Sequence, residues 1–440
     1  MEPETYTLDE QRALSNRRIY ALAGLISVCI ISIVALSVWF YVADPGSGKK
    51  QIAVITTVYR PNSHSDVIAG RLFLTDTLNG HGESFELELA SLYVDQFPPI
   101  DTSRKHASEY GFPIYDTIRD ALTLGTGTLA VDGVLLIAEH GEYPLSHTGQ
   151  KQYPKRRMFD EIIRVFRESD RSVPIFIDKH LSDNWIDAEY IFETAEDMNI
   201  PLMAGSVLPV TYRMPAINLE PGAHINDVVA LSYGPLDSYG FHALEMLQSI
   251  VERRAGGEHG VSAVQTLQNG EVWEAIDDGT INSDLLESAL DRLNLLHFSD
   301  LNDLRAAAIA PTAFLIEYAD GLTATIVTLP SGIDQWSIAW RYASSDERAG
   351  ESQRVMFWTQ NDHPYMHFTY QLRGIERMMW TGRPAWPAER TLLTSGTLSA
   401  LHESLSRGGE RLETPHLEFG YRTSWSWVEP TPLPAQATEQ

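Results

Sequence analysis

Two turns in this 440-residue chain carry side chains that could hold a metal or take part in proton transfer. Glu139-His140-Gly141-Glu142-Tyr143-Pro144 follows Asp132 to Ala138 (DGVLLIA), and Asp178-Lys179-His180 follows Val173 to Ile177. The second run is apolar without alternation, the pattern of a strand covered on both faces, and the first reads as a strand of the same kind. Both turns therefore fall at carboxyl ends of strands, where open α/β sheets place their ligands. Glu139, His140, Asp178 and His180, with His64 near the same edge, offer carboxylate and imidazole donors of the sort that bind a divalent metal. A third stretch, Ser238-Tyr239-Gly240-Phe241-His242, puts an imidazole at a helix start. The single cysteine, Cys29, lies in an apolar N-terminal segment, so the rest of the chain has no disulfide, thiol nucleophile or cysteine metal ligand.

The elements that position these turns alternate strand and helix. Ile52 to Thr56 reads as a first buried strand, Ser91 to Val94 as a second that ends at Asp95, and Leu78 to Glu86 as a loop or hairpin between them. Helices are expected over Thr102 to Glu109, Thr117 to Leu122 and Arg156 to Arg167. The βαβ unit of residues 173 to 205 follows, its helix capped by Ser182 or Asp183 and buried through Trp185, Ala188, Ile191, Phe192, Ala195 and Met198. After Arg213 the pattern changes. β-branched and alternating runs at Val228 to Tyr233, Ala263 to Leu267, Ala313 to Tyr318, Leu322 to Leu329 and Gln335 to Trp340 suit a mostly antiparallel sheet, with helices at Gly240 to Arg254, His367 to Trp380 and Ala388 to Arg407. The expected fold is α/β: a Rossmann-like parallel-sheet domain over 51–210, then an α+β domain with a large open sheet over 211–425, and a tail over 426–440.

The formal charge of −26 argues against nucleic acid as a partner, since phosphate binding needs a basic face. Residues 1–18 are polar. Ile19 to Ala43 is apolar and uncharged, long enough to cross a bilayer, with Trp39, Phe40 and Tyr41 at one end, so a single-pass anchor with the body outside the cytoplasm is expected. The cluster Lys151 to Arg157 reads as a solvated turn at a helix start. His363, His367, His402 and His416 read as structural, and Trp380, Trp386, Trp425 and Trp427 as packing.

The element order and several of these residues resemble the Gfo/Idh/MocA family, the glucose-fructose oxidoreductase and inositol dehydrogenase type. Lys179 matches the lysine of the family's Glu-Lys-Pro turn, Asp95 its ribose-binding acid, GFPIYDTIRDAL its G-x-x-x-Y/F-D-S region, and Gly240 and His242 its D-x-G-x-H helix start, where Ser238 stands in place of the acid. The resemblance spans about residues 51–415. It implies an oxidoreductase acting on a sugar or polyol with NAD or NADP, with Lys179 and His242 handling the proton. It also implies cofactor contacts from Thr56, Arg60, Ser63, Asp95, Glu139 and His140, and a homo-oligomer through the open sheet. The loop Thr56 to His64 has no glycine where the family carries G-x-G-x-x-G. Two other readings stand beside this one: a metal-assisted lyase, hydrolase or epimerase built on Glu139, His140, Asp178 and His180, and a non-catalytic carbohydrate-binding protein.

Overall fold

The structure, a computed structural model, describes residues 48–293, 300–306 and 310–431. The run Ile19 to Ala43 lies outside them, and so does Cys29. The expected membrane-anchored, extracytoplasmic localisation is corrected by what the structure does describe: among the described residues no helix is long and apolar enough to cross a membrane. The longest, Ala388–Ser406, has 19 residues and carries Glu389, Arg390 and Glu403.

From Lys50 the chain builds a parallel sheet. Its elements in order are β1 (Lys50–Val58), α1 (His64–Phe73), β2 (Leu87–Gln96), α2 (Ser103–Tyr110), β3 (Ile114–Tyr115), α3 (Ile118–Thr123), β4 (Gly133–Ile137), α4 (Lys155–Glu168), β5 (Ile175–Asp178), α5 (Trp185–Asp197) and β6 (Leu202–Gly205). The strands lie in the order β3-β2-β1-β4-β5-β6, all parallel, which is the doubly wound arrangement with its reversal between β1 and β4. Apolar clusters fill both faces. One joins Val134, Leu136 and Ile177 to Phe159, Ile162 and Ile191, and the other joins Val54, Leu135 and Phe176 to Ile68, Leu372 and Met378. Burial on both faces is why these strands read as unbroken apolar runs. Asn184, and neither Ser182 nor Asp183, caps α5, because its side chain lies three residues before the Asp187 amide that it accepts from at 3.0 Å.

The second sheet has eight strands in the order β14-β9-β10-β11-β8-β12-β13-β7. They are β7 (Tyr212–Met214), β8 (Ile225–Tyr233), β9 (Val261–Gln268), β10 (Thr312–Tyr318), β11 (Thr323–Leu329), β12 (Trp336–Tyr342), β13 (Ser352–Trp358) and β14 (Leu412–Glu413). All neighbouring pairs are antiparallel except β8 with β11. One face packs on α6 (Leu236–Val251) and the other on α7 (Gly270–Asp277) and α8 (Ser283–Leu290), with the short α9 (Leu301–Ala306) beside them. Two helices complete the fold. α10 (Met366–Thr381) packs on the parallel sheet near α1, and α11 (Ala388–Ser406) is wedged between α5, α6, β6 and β9. Gly396 lets α11 approach Trp185 and Leu417 so closely that a Cβ would lie 2.4 Å from Leu417. Beyond β14, Trp425 and Trp427 lie against the guanidinium groups of Arg390 and Arg213, and Trp427 donates to the Thr211 carbonyl at 2.8 Å.

α11 is tied to α6 by an ion pair with no exposure at either end. Arg390 Nε and Nη2 donate to Glu252 at 2.9 and 2.5 Å, and the Tyr421 hydroxyl donates to the same carboxylate at 2.9 Å. Removing one partner strands the other charge in the interior. Arg390→Ala is therefore expected to lower the unfolding free energy by about 3–5 kcal/mol, whereas Arg390→Leu combined with Glu252→Leu should lose much less. Denaturant midpoints at unchanged slope measure the difference.

Candidate active site

At the reversal point of the parallel sheet, the turns leaving β1, β4 and β5 meet over a cavity of about 380 Å³. Asn62, His64, Glu139, His140 and Lys179 line it from the parallel sheet. Tyr233, Tyr239, His242 and Trp336 line it from the second sheet and α6, and His367 and Phe368 from α10. Tyr239 stacks on Trp336 at 5.4 Å and 20°, and Tyr233 lies 4.9 Å from the same indole, so one wall is aromatic.

Glu139, 3% exposed, sits between two ammonium groups, Lys179 at 3.0 Å and Lys155 at 3.4 Å. Burial alone would push its carboxyl up, but Lys179 and Lys155 outweigh burial and hold it well below the usual carboxylate range. For Lys179, burial pulls down while Glu139 and Asp178 pull up more strongly, and the ammonium is stabilised. Lys155 is wholly enclosed and farther from Glu139, so burial prevails and lowers it. It still donates to the carbonyls of Asp178 at 2.9 Å and His180 at 2.7 Å. Lys155 was expected in a solvated turn. Its interior place was legible from its phase with Met158, Phe159, Ile162 and Phe166, the buried stripe of α4.

The backbone at this edge is constrained. His140 and Lys179 both have left-handed conformations, φ 66° and 62°, each worth roughly 1–3 kcal/mol of strain in a non-glycine residue. A pair of backbone hydrogen bonds with Gly205, at 3.2 and 3.1 Å, holds Lys179 there. Across the cavity His242 meets the Ser206 hydroxyl through Nδ1 at 2.6 Å, and that hydroxyl accepts from the Leu208 amide at 3.0 Å. Asp237 accepts from the Lys151 amide at 3.1 Å, so it does not stand in for the acid missing at Ser238. Tyr239 and Trp336 line the cavity, and Ser206 backs His242, none of them singled out from the sequence; His367, read there as structural, also lines the cavity. The His367 imidazole, 8% exposed, keeps an unpartnered Nδ1.

The metal expectation for Glu139, His140, Asp178 and His180 is corrected. Among the described residues no group of three or more His, Cys, Asp or Glu could hold a metal ion. The donors are already turned to cations or protons: Glu139 to both lysines, His180 Nδ1 to the Lys155 ammonium at 3.2 Å, and Asp178 to His64 at 2.6 Å.

The start of α1 is the place where a doubly wound fold receives a pyrophosphate, and the residues there do not fit one. Pro61 has no amide to offer. The fully buried Ser63 accepts from the amides of Arg60 and Asp66 at 3.2 and 3.3 Å, and the Asp66 carboxylate accepts from the Asn62 amide at 2.9 Å. The helix N-terminus thus carries its own anion, which a diphosphate would meet at close range. Thr56 lies inside the sheet, donating to the Ile137 carbonyl at 2.9 Å. Asp95 is filled by Tyr93, Tyr143 and Arg157 at 2.8, 2.7 and 2.6 Å, and these donors outweigh burial in lowering its carboxyl. Arg60 reaches His140 Nδ1 at 3.4 Å.

No family model and no curated protein matches the chain. Solved structures do. GenD2 from gentamicin A biosynthesis, in complex with NAD, is 15% identical with a TM-score of 0.52, over 83% of this chain and 96% of that one. The chain has the fold of the Gfo/Idh/MocA-type dehydrogenases. The scyllo-inositol dehydrogenase from Lactobacillus casei, with bound NAD(H) and scyllo-inositol, is 10% identical with a TM-score of 0.50, over 83% of this chain and 99% of that one. At these identities the likeness is one of fold.

Burial pushes the His140 imidazole down to about 4 and His367 to about 3, and it also drives His180 and His242 well below their ordinary value. Each therefore gains a proton on unfolding at pH values between its lowered folded value and the free-histidine value of about 6.5. The contribution of these histidines should be level above about pH 7, and stability should fall as the pH drops from about 6.5 towards 4, with Glu139 adding to the loss below about 4.5. His140→Gln should flatten part of that slope. Urea midpoints across the range test this, and a level curve would contradict neutral buried imidazoles.

Proposed function

We propose that the cavity binds an uncharged sugar bearing a carbonyl and that an imidazole of the cavity moves a proton on it, with Lys179 stabilising the oxyanion that forms and His242 facing the substrate. Lys179 is the observation that carries this reading. It lines the cavity while Glu139, at 3.0 Å, keeps its buried ammonium charged, and a fixed cation at a substrate cavity is a preformed site for developing negative charge. The charges around it balance, Lys155 and Lys179 against Glu139 and Asp178, and His242 and His367 are held neutral, so the surroundings favour a ligand without net charge. The aromatic wall of Tyr233, Tyr239 and Trp336 supports the apolar face of a sugar ring. The dehydrogenases of like fold include one solved with scyllo-inositol.

The chemistry that this chain's own residues support without a hydride acceptor is keto–enol exchange. A base takes the proton from the carbon beside a carbonyl, the C–H electrons form the carbon–carbon double bond, and the carbonyl oxygen becomes an enediolate oxygen facing Lys179. Return of the proton to either carbon gives an isomer or epimer, with no net oxidation. The fold favours a second reading, an NAD(P)-dependent oxidoreductase using the same Lys179 and His242 on a hydroxyl, because GenD2 was solved with NAD. Asp66, Pro61 and the filled Asp95 weigh against it.

Incubation with aldoses and ketoses in deuterium oxide, read by proton NMR, tests the first reading. Exchange beside the carbonyl is expected, and Lys179→Met should slow it by about 10²–10³-fold. If no sugar exchanges, while NAD or NADP binds tighter than about 100 µM (about −5.5 kcal/mol) and is reduced by a polyol, the oxidoreductase reading replaces it.

A further inference from the structure

The carboxylate–imidazole pair that is absent at Ser238 and His242 exists elsewhere in the same cavity. His64, the first residue of α1, places Nδ1 2.6 Å from Oδ2 of Asp178, the last residue of β5. Asp178 is 2% exposed, and His64 lines the cavity with 16% of its side chain exposed. An ionised carboxylate can only accept, so Nδ1 of His64 carries a proton, and in the neutral ring Nε2 keeps its lone pair. His242 is backed by a neutral hydroxyl, that of Ser206. Of these two imidazoles, then, only His64 has a negative charge behind it to stabilise the imidazolium that forms when it accepts a proton.

We propose that His64, oriented by Asp178, is the general base of this site, and that His242 serves as a hydrogen-bonding partner to the substrate. The inference rests on the proton-transfer reading and assigns the base within it. Nε2 of His64 takes the proton from the carbon beside the carbonyl, the electron pair moves onto the carbonyl oxygen facing Lys179, and the same imidazolium returns the proton. Asp178 is a positioning residue: it selects the tautomer and offsets the charge on the ring. Glu139, His140, His242 and His367 also face His64, and Phe368 closes one side with its ring 5.0 Å away. The competing role is a staple that only ties α1 to β5.

Two measurements on the full chain separate these roles. With the fastest-exchanging sugar, His64→Ala should lower kcat by roughly 10²–10⁴-fold with KM within about threefold, and added imidazole should restore part of the rate. Asp178→Asn, which keeps a hydrogen-bond acceptor but removes the charge, should lower kcat with KM little changed. A staple would lose stability instead, with kcat unaltered in the folded fraction and no rescue by imidazole, and that result would overturn the proposal. The second measurement needs no turnover. Diethyl pyrocarbonate followed by peptide mass spectrometry should label His64 at least about fivefold faster than His242 or His367, because its ring is open to the cavity and Asp178 holds Nδ1 so that Nε2 faces the reagent. Unlabelled His64 would overturn the assignment even in an active protein. Absence of exchange with every sugar, alongside fast labelling of His64, would instead remove the sugar reading and leave the aligned base in place.

Discussion

Glu139 lies in the interior between Lys179 and Lys155, and the geometry of the whole cavity follows from that arrangement. Two ammonium groups cannot stay charged in a dry interior without a counter-ion, and a lone carboxylate there would take up a proton instead. Each lysine comes from a different element, one from the start of α4 and one from the turn after β5, so the shared carboxylate after β4 draws three segments to one point. Lys155 then fixes the turn further by donating to the carbonyls of Asp178 and His180. The stability of such a cluster lies less in its net contribution, which burial largely offsets, than in the large penalty for removing any one member.

That cluster is paired with strain. His140 and Lys179 hold left-handed backbone conformations in adjacent turns, and in Lys179 the constraint is met by the bridge to Gly205. Gly205 is itself at φ 119°, where a Cβ would lie 2.5 Å from the Glu245 carboxylate. The lysine is thereby aimed at the cavity by backbone geometry on one side and by charge on the other. A flexible side chain treated this way behaves as a fixed cation, which is what stabilisation of a developing oxyanion requires.

The fold is shared with dehydrogenases solved with NAD, yet the helix terminus at the reversal point is occupied by the chain's own groups. The Ser63 hydroxyl accepts from the Arg60 and Asp66 amides, the Asp66 carboxylate accepts from the Asn62 amide, Pro61 has no amide to offer, and His64 reaches from the same terminus to Asp178 at the end of β5. At this crevice, where strand ends converge, imidazole and carboxylate groups stand in place of a glycine loop. Such an arrangement is open to an α/β sheet because the site is made of turns, and the strands beneath fold on their apolar pattern whatever the turns contain.

By itself the sequence determined the order of elements and which turns lie at the carboxyl edge of the parallel sheet. The unalternating runs of β1, β4 and β5 and the helical phase of α4, α5 and α11 declare burial, and burial on both strand faces implies a parallel sheet with its turns at one edge. The same phase holds Lys155 to the interior, although its place among basic neighbours suggested a solvated turn. The short β13, α7 and α8 were not read, since their apolar positions become a face only against the second sheet. What the tertiary structure alone decided is which side chains meet. His64 and Asp178 are 114 residues apart, and Glu139 takes its charges from residues 16 and 40 positions away (155 − 139 and 179 − 139). Periodicity along a chain reports how each residue relates to its local axis. Convergence depends on strand order and on where each turn aims its side chains, and neither is written in local spacing.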